Sequence, residues 1–278
     1  VTVNEDATYT LQASDFGFSD TADSDAFASV VIATLPSAGS LKLDGSAVSS
    51  GDSITVAAIS SGDLTFTPAA DANGSGYASF DFQVVDDGGT GNGGEDTDQS
   101  ANTLTVDVTS VNDAPSGTDK TVTVNEDATY TLQASDFGFS DTADSDAFDS
   151  VVIATLPSAG SLKLDGSAVS SGDSITVAAI SSGDLTFTPA ADANGSGYAS
   201  FDFQVVDDGG TGNGGEDTDQ SANTLTVDVT SVNDAPSGTD KTVTVNEDAT
   251  YTLQASDFGF SDTADSDAFD SVVIATLP

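Results

Sequence analysis

The chain repeats itself. Residues 1–121 recur as residues 122–242, and residues 243–278 begin a third copy. A single position separates the copies: Ala28 is answered by Asp149 and Asp270. A period of 121 residues is a whole domain rather than one coil of a solenoid, and one copy is long enough to bury its own core. Adjacent copies this alike make a chain whose length matters more than any one site, and an enzyme gains little from such an arrangement. The repeat sets the boundaries: residues 1–115 for a first β-sandwich, 116–236 for a second and 237–278 for the start of a third. The third copy stops after its third strand, so it should expose an apolar face and open edges.

Within a copy the apolar residues alternate with period two. In the middle copy, residues 121–124 read as one strand. Tyr130, Leu132 and Ala134 point inward from a second, and residues 148–156, stopped by Pro157, form a third. Asp165-Gly166 marks a tight hairpin between residues 162–164 and 167–169. Residues 175–177, 185–187, 201–205 and 225–229 complete a set of seven to nine short strands with no helical period. The expected fold is all-β: tandem antiparallel β-sandwiches with Greek-key connections, arranged end to end. Tyr198, just past a glycine, fits a tyrosine corner.

Charge narrows the function. Acids number 46 against 4 lysines, for a formal net charge of -42. Such a surface repels nucleic acid and anionic membrane and attracts cations. Cysteine and histidine are absent, which excludes a disulfide framework and a zinc site. No apolar run approaches the roughly 18 residues of a membrane span. The apolar content of 37% with strict alternation argues against disorder.

The acids have an address. Val111-Asn112-Asp113-Ala114-Pro115 returns as Val232-Asn233-Asp234-Ala235-Pro236. Proline ends a strand and stiffens a joint. In a sandwich, Glu5, Asp6, Asp71 and Asn73 lie at the exit end of the first copy, beside Asn112 and Asp113. Asp144 and Asp146 of the second copy approach from the far side, with Asp207, Asp208, Glu216, Asp217 and Asp219 close behind. The next joint repeats the set as Glu126, Asp127, Asp192, Asn194, Asn233, Asp234, Asp265 and Asp267. Converging carboxylates repel unless a cation neutralises them. Calcium, a hard ion taking roughly 6–8 oxygens, fits better than magnesium with its tight octahedron. For any single acid, the plain reading as a solvated turn residue stands beside this one.

These motifs carry a resemblance. Asn-Glu-Asp, Asp-Ser-Asp-Ala-Phe, Phe-Thr-Pro-Ala-Ala-Asp-Ala-Asn-Gly, Val-Val-Asp-Asp-Gly-Gly and Val-Asn-Asp-Ala-Pro run through the whole repeat. The module resembles the cadherin-like or Ig-like extender repeats of giant bacterial surface adhesins of the RTX type, found in biofilm-forming bacteria. The resemblance implies a calcium-rigidified stalk at the cell surface that holds an adhesive tip outward. It also implies a joint glutamate matched by Glu5 or Glu126, a linker Asn-Asp matched by Asn112 and Asp113, and an Asp-x-Asp pair matched by Asp144 and Asp146. Ser110 and Ala114 depart from the cadherin linker, and the Asp-Arg-Glu element is missing, with Asp71 and Asn73 as its stand-in.

Other motifs fall short. The segment starting at Asp71 resembles half an EF-hand loop, but its twelfth position is Phe82. Gly88-Gly89-Thr90-Gly91-Asn92-Gly93 resembles one calcium-binding nonapeptide but occurs once per copy. A glycosidase reading of paired carboxylates lacks the tryptophan, histidine and arginine that would bind a sugar or tune a pKa. The expected function is therefore a non-enzymatic extender whose partners are calcium ions and neighbouring repeats. A glycan- or self-binding adhesion module and a self-assembling extracellular fibre subunit are the other readings.

Overall fold

The structure, a computed structural model, describes residues 1–276. It divides into two compact units. The first is residues 1–114 together with two loops of the second copy, 141–146 and 209–217, and the second is the remainder of the described residues.

The first unit opens with β1 (Thr2–Asn4), β2 (Tyr9–Thr10), β3 (Phe27–Ile32), β4 (Ser40–Leu43), β5 (Ser46–Ala47) and β6 (Ser53–Thr55). A short helix α1 (Val56–Ser61) follows, then β7 (Leu64–Thr67), β8 (Gly74–Asp86) and β9 (Asn102–Thr109). One sheet runs β1-β9-β8-β3-β6 and the other β2-β7-β4-β5. Chain connections pass from sheet to sheet, as a Greek-key sandwich requires. Alternation sets which side chains enter the core: β9 buries Leu104, Val106 and Val108. These pack with Val30, Ile32, Phe66, Phe80 and Phe82, and Phe16 meets Phe82 edge to face at 4.9 Å.

The second unit repeats the plan. Its elements are β10 (Lys120–Asn125), β11 (Tyr130–Thr131), β12 (Phe148–Ile153), β13 (Ser161–Leu164), β14 (Ser167–Ala168) and β15 (Ser174–Thr176), then α2 (Val177–Ser182), β16 (Leu185–Thr188), β17 (Gly195–Asp207) and β18 (Asn223–Thr230). Sheets of order β10-β18-β17-β12-β15 and β11-β16-β13-β14 close over Val151, Ile153, Phe187, Phe201 and Phe203. The Tyr198 hydroxyl accepts the Ala190 N–H at 3.1 Å, the bond expected of a tyrosine corner.

Four details differ from the sequence reading. The pairing is antiparallel except at the edge, where β1 runs parallel to β9 and β10 to β18. The second strand is cut to two residues. Beyond Leu132 the chain turns into a 3-10 helix at Ala134–Asp136, because the Asp136 carboxylate accepts the Gln133 N–H at 2.9 Å and the Tyr130 hydroxyl at 3.1 Å. The third strand ends at Ile153, leaving Leu156 exposed. Residues 175–177 are not all strand: Thr176 caps α2 by accepting the Ala179 N–H at 3.2 Å, and Gly183 ends it at φ 85°. A helix of six residues is too short to print a period of its own.

Of the third copy, the described residues form a 3-10 turn at Ala255–Asp257 and an isolated bridge between Ser237 and Ser261, with no strand. Leu253, Val273 and Ile274 are exposed there. Among the described residues no helix is long and apolar enough to cross a membrane.

Candidate metal centre

The first unit gathers its acids where β1 ends. Glu5 is buried, and its carboxylate accepts the Asn73 amide at 3.0 Å and the backbone N–H of Val111. That bond ties the segment after β9 to the end of β1. Asp6 follows with φ 56°, and Asp71 sits at φ 54° in the turn before Asn73-Gly74. Aspartate tolerates this left-handed region better than most residues, which is why turns of this kind select it. The Asp71 N–H donates to Asp6 Oδ1 at 3.4 Å. Carboxylate oxygens of Asp6, Asp71 and Asp113 then all lie within 4.8 Å of one another.

The loops from the second copy close this cluster inside the same unit. The Asp113 N–H donates to Asp144 Oδ2 at 2.7 Å. The Asn112 amide donates to the Glu216 carbonyl at 2.8 Å, and the Glu216 N–H returns to the Asn112 carbonyl at 2.8 Å. Gly209 sits so close that a Cβ there would meet Asn112 Oδ1 at 2.0 Å and Asp146 Oδ2 at 2.1 Å. Asp144 and Asp146 are held in place by Asp141, whose carboxylate accepts the N–H groups of Ala143, Asp144 and Asp146 at 3.2, 3.3 and 2.7 Å.

The electrostatics of the cluster suit a cation. Burial, and then the charges of Asp6, Asp144, Asp71 and Glu5, push the Asp113 carboxyl above the usual aspartate range. Its Oδ2 is buried and accepts no hydrogen bond. A buried, unsatisfied carboxylate oxygen on a residue clustered with other carboxylates is unfavourable unless a proton or a cation neutralises it. The available donors are carboxylate and amide oxygens, the set that suits calcium.

The second unit builds the same cluster from Asp127, Asp192 and Asp234, again within 4.8 Å. Glu126 is buried, and the Asn194 amide and Val232 N–H hold its carboxyl below the usual glutamate range. Asp234 is pushed upward by burial and then by Asp127, Asp192, Asp265 and Glu126, and its N–H donates to Asp265. Its Oδ2 is likewise buried without a hydrogen bond. Asn233 is exposed, and its amide donates to the Asp234 carbonyl at 3.0 Å. Asp265 and Asp267 form a third cluster with Asp262.

The remaining acids of the sequence-derived set are Asp207, Asp208, Asp217 and Asp219. Asp208 is exposed and accepts the Ala147 N–H at 2.7 Å. Asp219 is buried, and its carboxylate accepts the Gly117 and Ser221 N–H groups at 2.9 and 3.0 Å and the Asn223 amide at 2.7 Å. Asp207 is buried and Asp217 half-buried. None of these four belongs to the three clusters. The sequence reading passed over Asp141 and its counterpart Asp262. The signal was in the spacing: an aspartate three and five residues before two others can fold the loop around its own carboxylate.

No protein-family model and no curated protein matches the chain. Among solved structures, human mucin-like protocadherin EC1-2 aligns with a TM-score of 0.32 at 18% identity, covering 73% of this chain and 84% of that one. Human CDH23 EC21-23 aligns with a TM-score of 0.35 at 12% identity, covering 73% of this chain and 62% of that one. The fold stands on the strand topology above and not on these likenesses.

Proposed function

We propose that the chain is a structural extender of an extracellular adhesin, in which β-sandwich copies are stiffened by calcium where one copy passes into the next. The observation that carries this reading is the cluster of Asp6, Asp71 and Asp113, where the buried Oδ2 of Asp113 accepts no hydrogen bond and Asp144 of the following copy binds the Asp113 N–H. Asp6, Asp71, Asp113, Asp144, Asp146 and Asn112 would hold the ion in the first unit. Asp127, Asp192, Asp234 and Asp265 would hold it in the second. The ion supplies the positive charge that lets these carboxylates stay ionised and close. The protein's own part is to fix the ligands: Glu5 anchors residue 111, and Asp141 orders the loop that carries Asp144 and Asp146. The cell-surface setting, the neighbouring repeats as partners and the adhesive role come from the resemblance of the repeat to adhesin extender modules.

The test is small-angle scattering and calorimetry in chelator and in calcium. Extracellular calcium modules bind at about 10⁻⁴–10⁻³ M, so millimolar calcium should extend the chain and raise its melting temperature through linkage. Identical profiles and melting curves under both conditions would sink the reading.

A further inference from the structure

We propose that Asn213-Gly214, with its counterpart Asn92-Gly93 in the first copy, is a site of spontaneous deamidation, and that at Asn213 the change loosens the loop holding Asn112. The chain has four Asn-Gly pairs, beginning at Asn73, Asn92, Asn194 and Asn213. Glycine, having no Cβ, offers the least obstructed backbone nitrogen to the asparagine side chain before it. In the reaction the Gly214 nitrogen attacks Asn213 Cγ and a five-membered imide forms. The Cγ–Nδ2 bond breaks, and the amide leaves as ammonia with the proton from the Gly214 N–H. Water then opens the imide at either carbonyl, giving aspartate or isoaspartate. No other reactant is needed.

The structure sorts the four pairs into two classes. At Asn73 and Asn194 the side-chain amide donates to the buried carboxylate of Glu5 or Glu126, at 3.0 and 2.9 Å. The glycine that follows opens β8 or β17 and pairs with Val108 or Val229. Reaction there must first break a charge-assisted bond and the start of a strand. Asn92 and Asn213 lie at φ 57° and 56° in exposed turns, each between two glycines. Neither side chain is held by a hydrogen bond among the described residues. A Cβ on Gly212 or Gly214 would meet nothing within 4 Å, so the turn has room for the peptide to swing onto Cγ.

The consequence follows from what the turn supports. The Gly215 N–H donates to the Gly212 carbonyl at 2.9 Å, closing the turn around Asn213. Gly215 is buried, and a Cβ there would meet the Asn112 nitrogen at 2.9 Å. The Glu216 N–H donates to the Asn112 carbonyl at 2.8 Å, and the Asn4 amide donates to the Asn213 carbonyl at 3.3 Å. Isoaspartate routes the chain through the former side chain. That adds one main-chain atom inside the closed turn and makes the Asn213 carbonyl a carboxylate. A glycine packed this tightly cannot absorb the extra length without moving, so the link from Glu216 to Asn112 opens.

This proposal does not depend on calcium, so it is tested in chelator. The full chain is incubated at mildly alkaline pH, folded and in denaturant, and then digested at its lysines. Tandem mass spectrometry with electron-transfer fragmentation follows the amide-to-acid mass gain at each asparagine and separates isoaspartate from aspartate. In the folded chain Asn92 and Asn213 should convert roughly tenfold or more faster than Asn73 and Asn194, the effect of one charge-assisted hydrogen bond. In denaturant all four should convert at similar rates. Amide hydrogen exchange at Glu216 should quicken as Asn213 converts. In Asn213→Gln, whose longer side chain does not close the five-membered ring, it should stay constant over the same incubation. Equal rates for the two classes in the folded chain, or no conversion of Asn213 there, would overturn the site. Unchanged exchange at Glu216 after conversion would overturn its effect on the loop.

Discussion

Asp6, Asp71 and Asp113 form the same triad as Asp127, Asp192 and Asp234, from identical sequence, and the surroundings of the two triads differ. At the first, Asn112 is buried and linked to Glu216 by two hydrogen bonds. At the second, Asn233 is exposed and bonded to its own neighbour, Asp234. The difference separates two layers of the site. The carboxylate triad and its Asp144 or Asp265 partner assemble from one copy plus an acidic loop. At the first triad a second loop, at Glu216, also holds the asparagine.

Each triad should therefore act as a calcium site of its own. Asp113→Asn should remove the first site, lowering its affinity by at least about tenfold, the effect of losing one charged ligand. The same substitution relieves repulsion, so the melting temperature in chelator should rise or hold. Asp234→Asn should do the same to the second site. Calorimetric titration of the two variants decides it. Loss of both sites from one substitution would show that the triads are not separate.

Next in size is the asparagine. Asn112→Ala should weaken the first site several-fold by freeing the loop at Glu216, about the loss of one or two hydrogen bonds. Asn233→Ala, which removes only a bond to the neighbouring Asp234, should leave the second site unchanged. Equal effects at the two positions would erase the distinction drawn from their hydrogen bonds.

A smaller effect is expected with pH. Asp113 and Asp234 have raised pKa values, from burial and then neighbouring carboxylates. Between its unfolded and folded pKa, such a group binds more protons in the folded state, so stability rises as pH falls. Glu126 has a lowered pKa and contributes the opposite sign, losing stability as pH falls through its folded value. The raised pair titrates first on acidification from neutral. In chelator, melting temperature should thus rise as pH drops toward the ordinary aspartate range. In millimolar calcium the trend should reverse, because protons displace the ion. A rise of equal size in both solutions would point to general charge repulsion in place of a site.

How much of this was legible beforehand depends on range. Local alternation was enough for β9 and β18, whose inward Leu, Val and Val positions are all buried. It failed where a side chain overrode the pattern: Asp136 ends the second strand, and Thr176 with Gly183 makes a helix of a β-rich stretch. For the site, the repeat and the sandwich topology were enough to bring Glu5, Asp6, Asp71, Asp113 and Asp144 to one place. They could not separate Asp113, with its unsatisfied oxygen, from Asp219, whose carboxylate the chain's own donors occupy. That separation depends on backbone N–H groups distant in sequence, and composition does not encode their direction.

The smallest expected effect is the one that guards the comparison. With a net charge of -42, removing any acid lowers the attraction for calcium a little, so a loss of affinity does not by itself prove coordination. Asp202 offers the control. It lies on β17 outside the three clusters, and its oxygens accept the Thr224 hydroxyl at 2.8 Å and the Thr155 hydroxyl at 3.2 Å. Asp202→Ala removes the same unit of charge as Asp113→Asn together with two hydrogen bonds, one of them part-buried. It should cost about 1 kcal/mol of stability or less and leave calcium binding at both triads within error of the parent. The readouts are a denaturant midpoint and the same calorimetric titration. If Asp202→Ala weakens calcium as much as Asp113→Asn does, affinity follows total charge, and neither triad is a binding site in its own right.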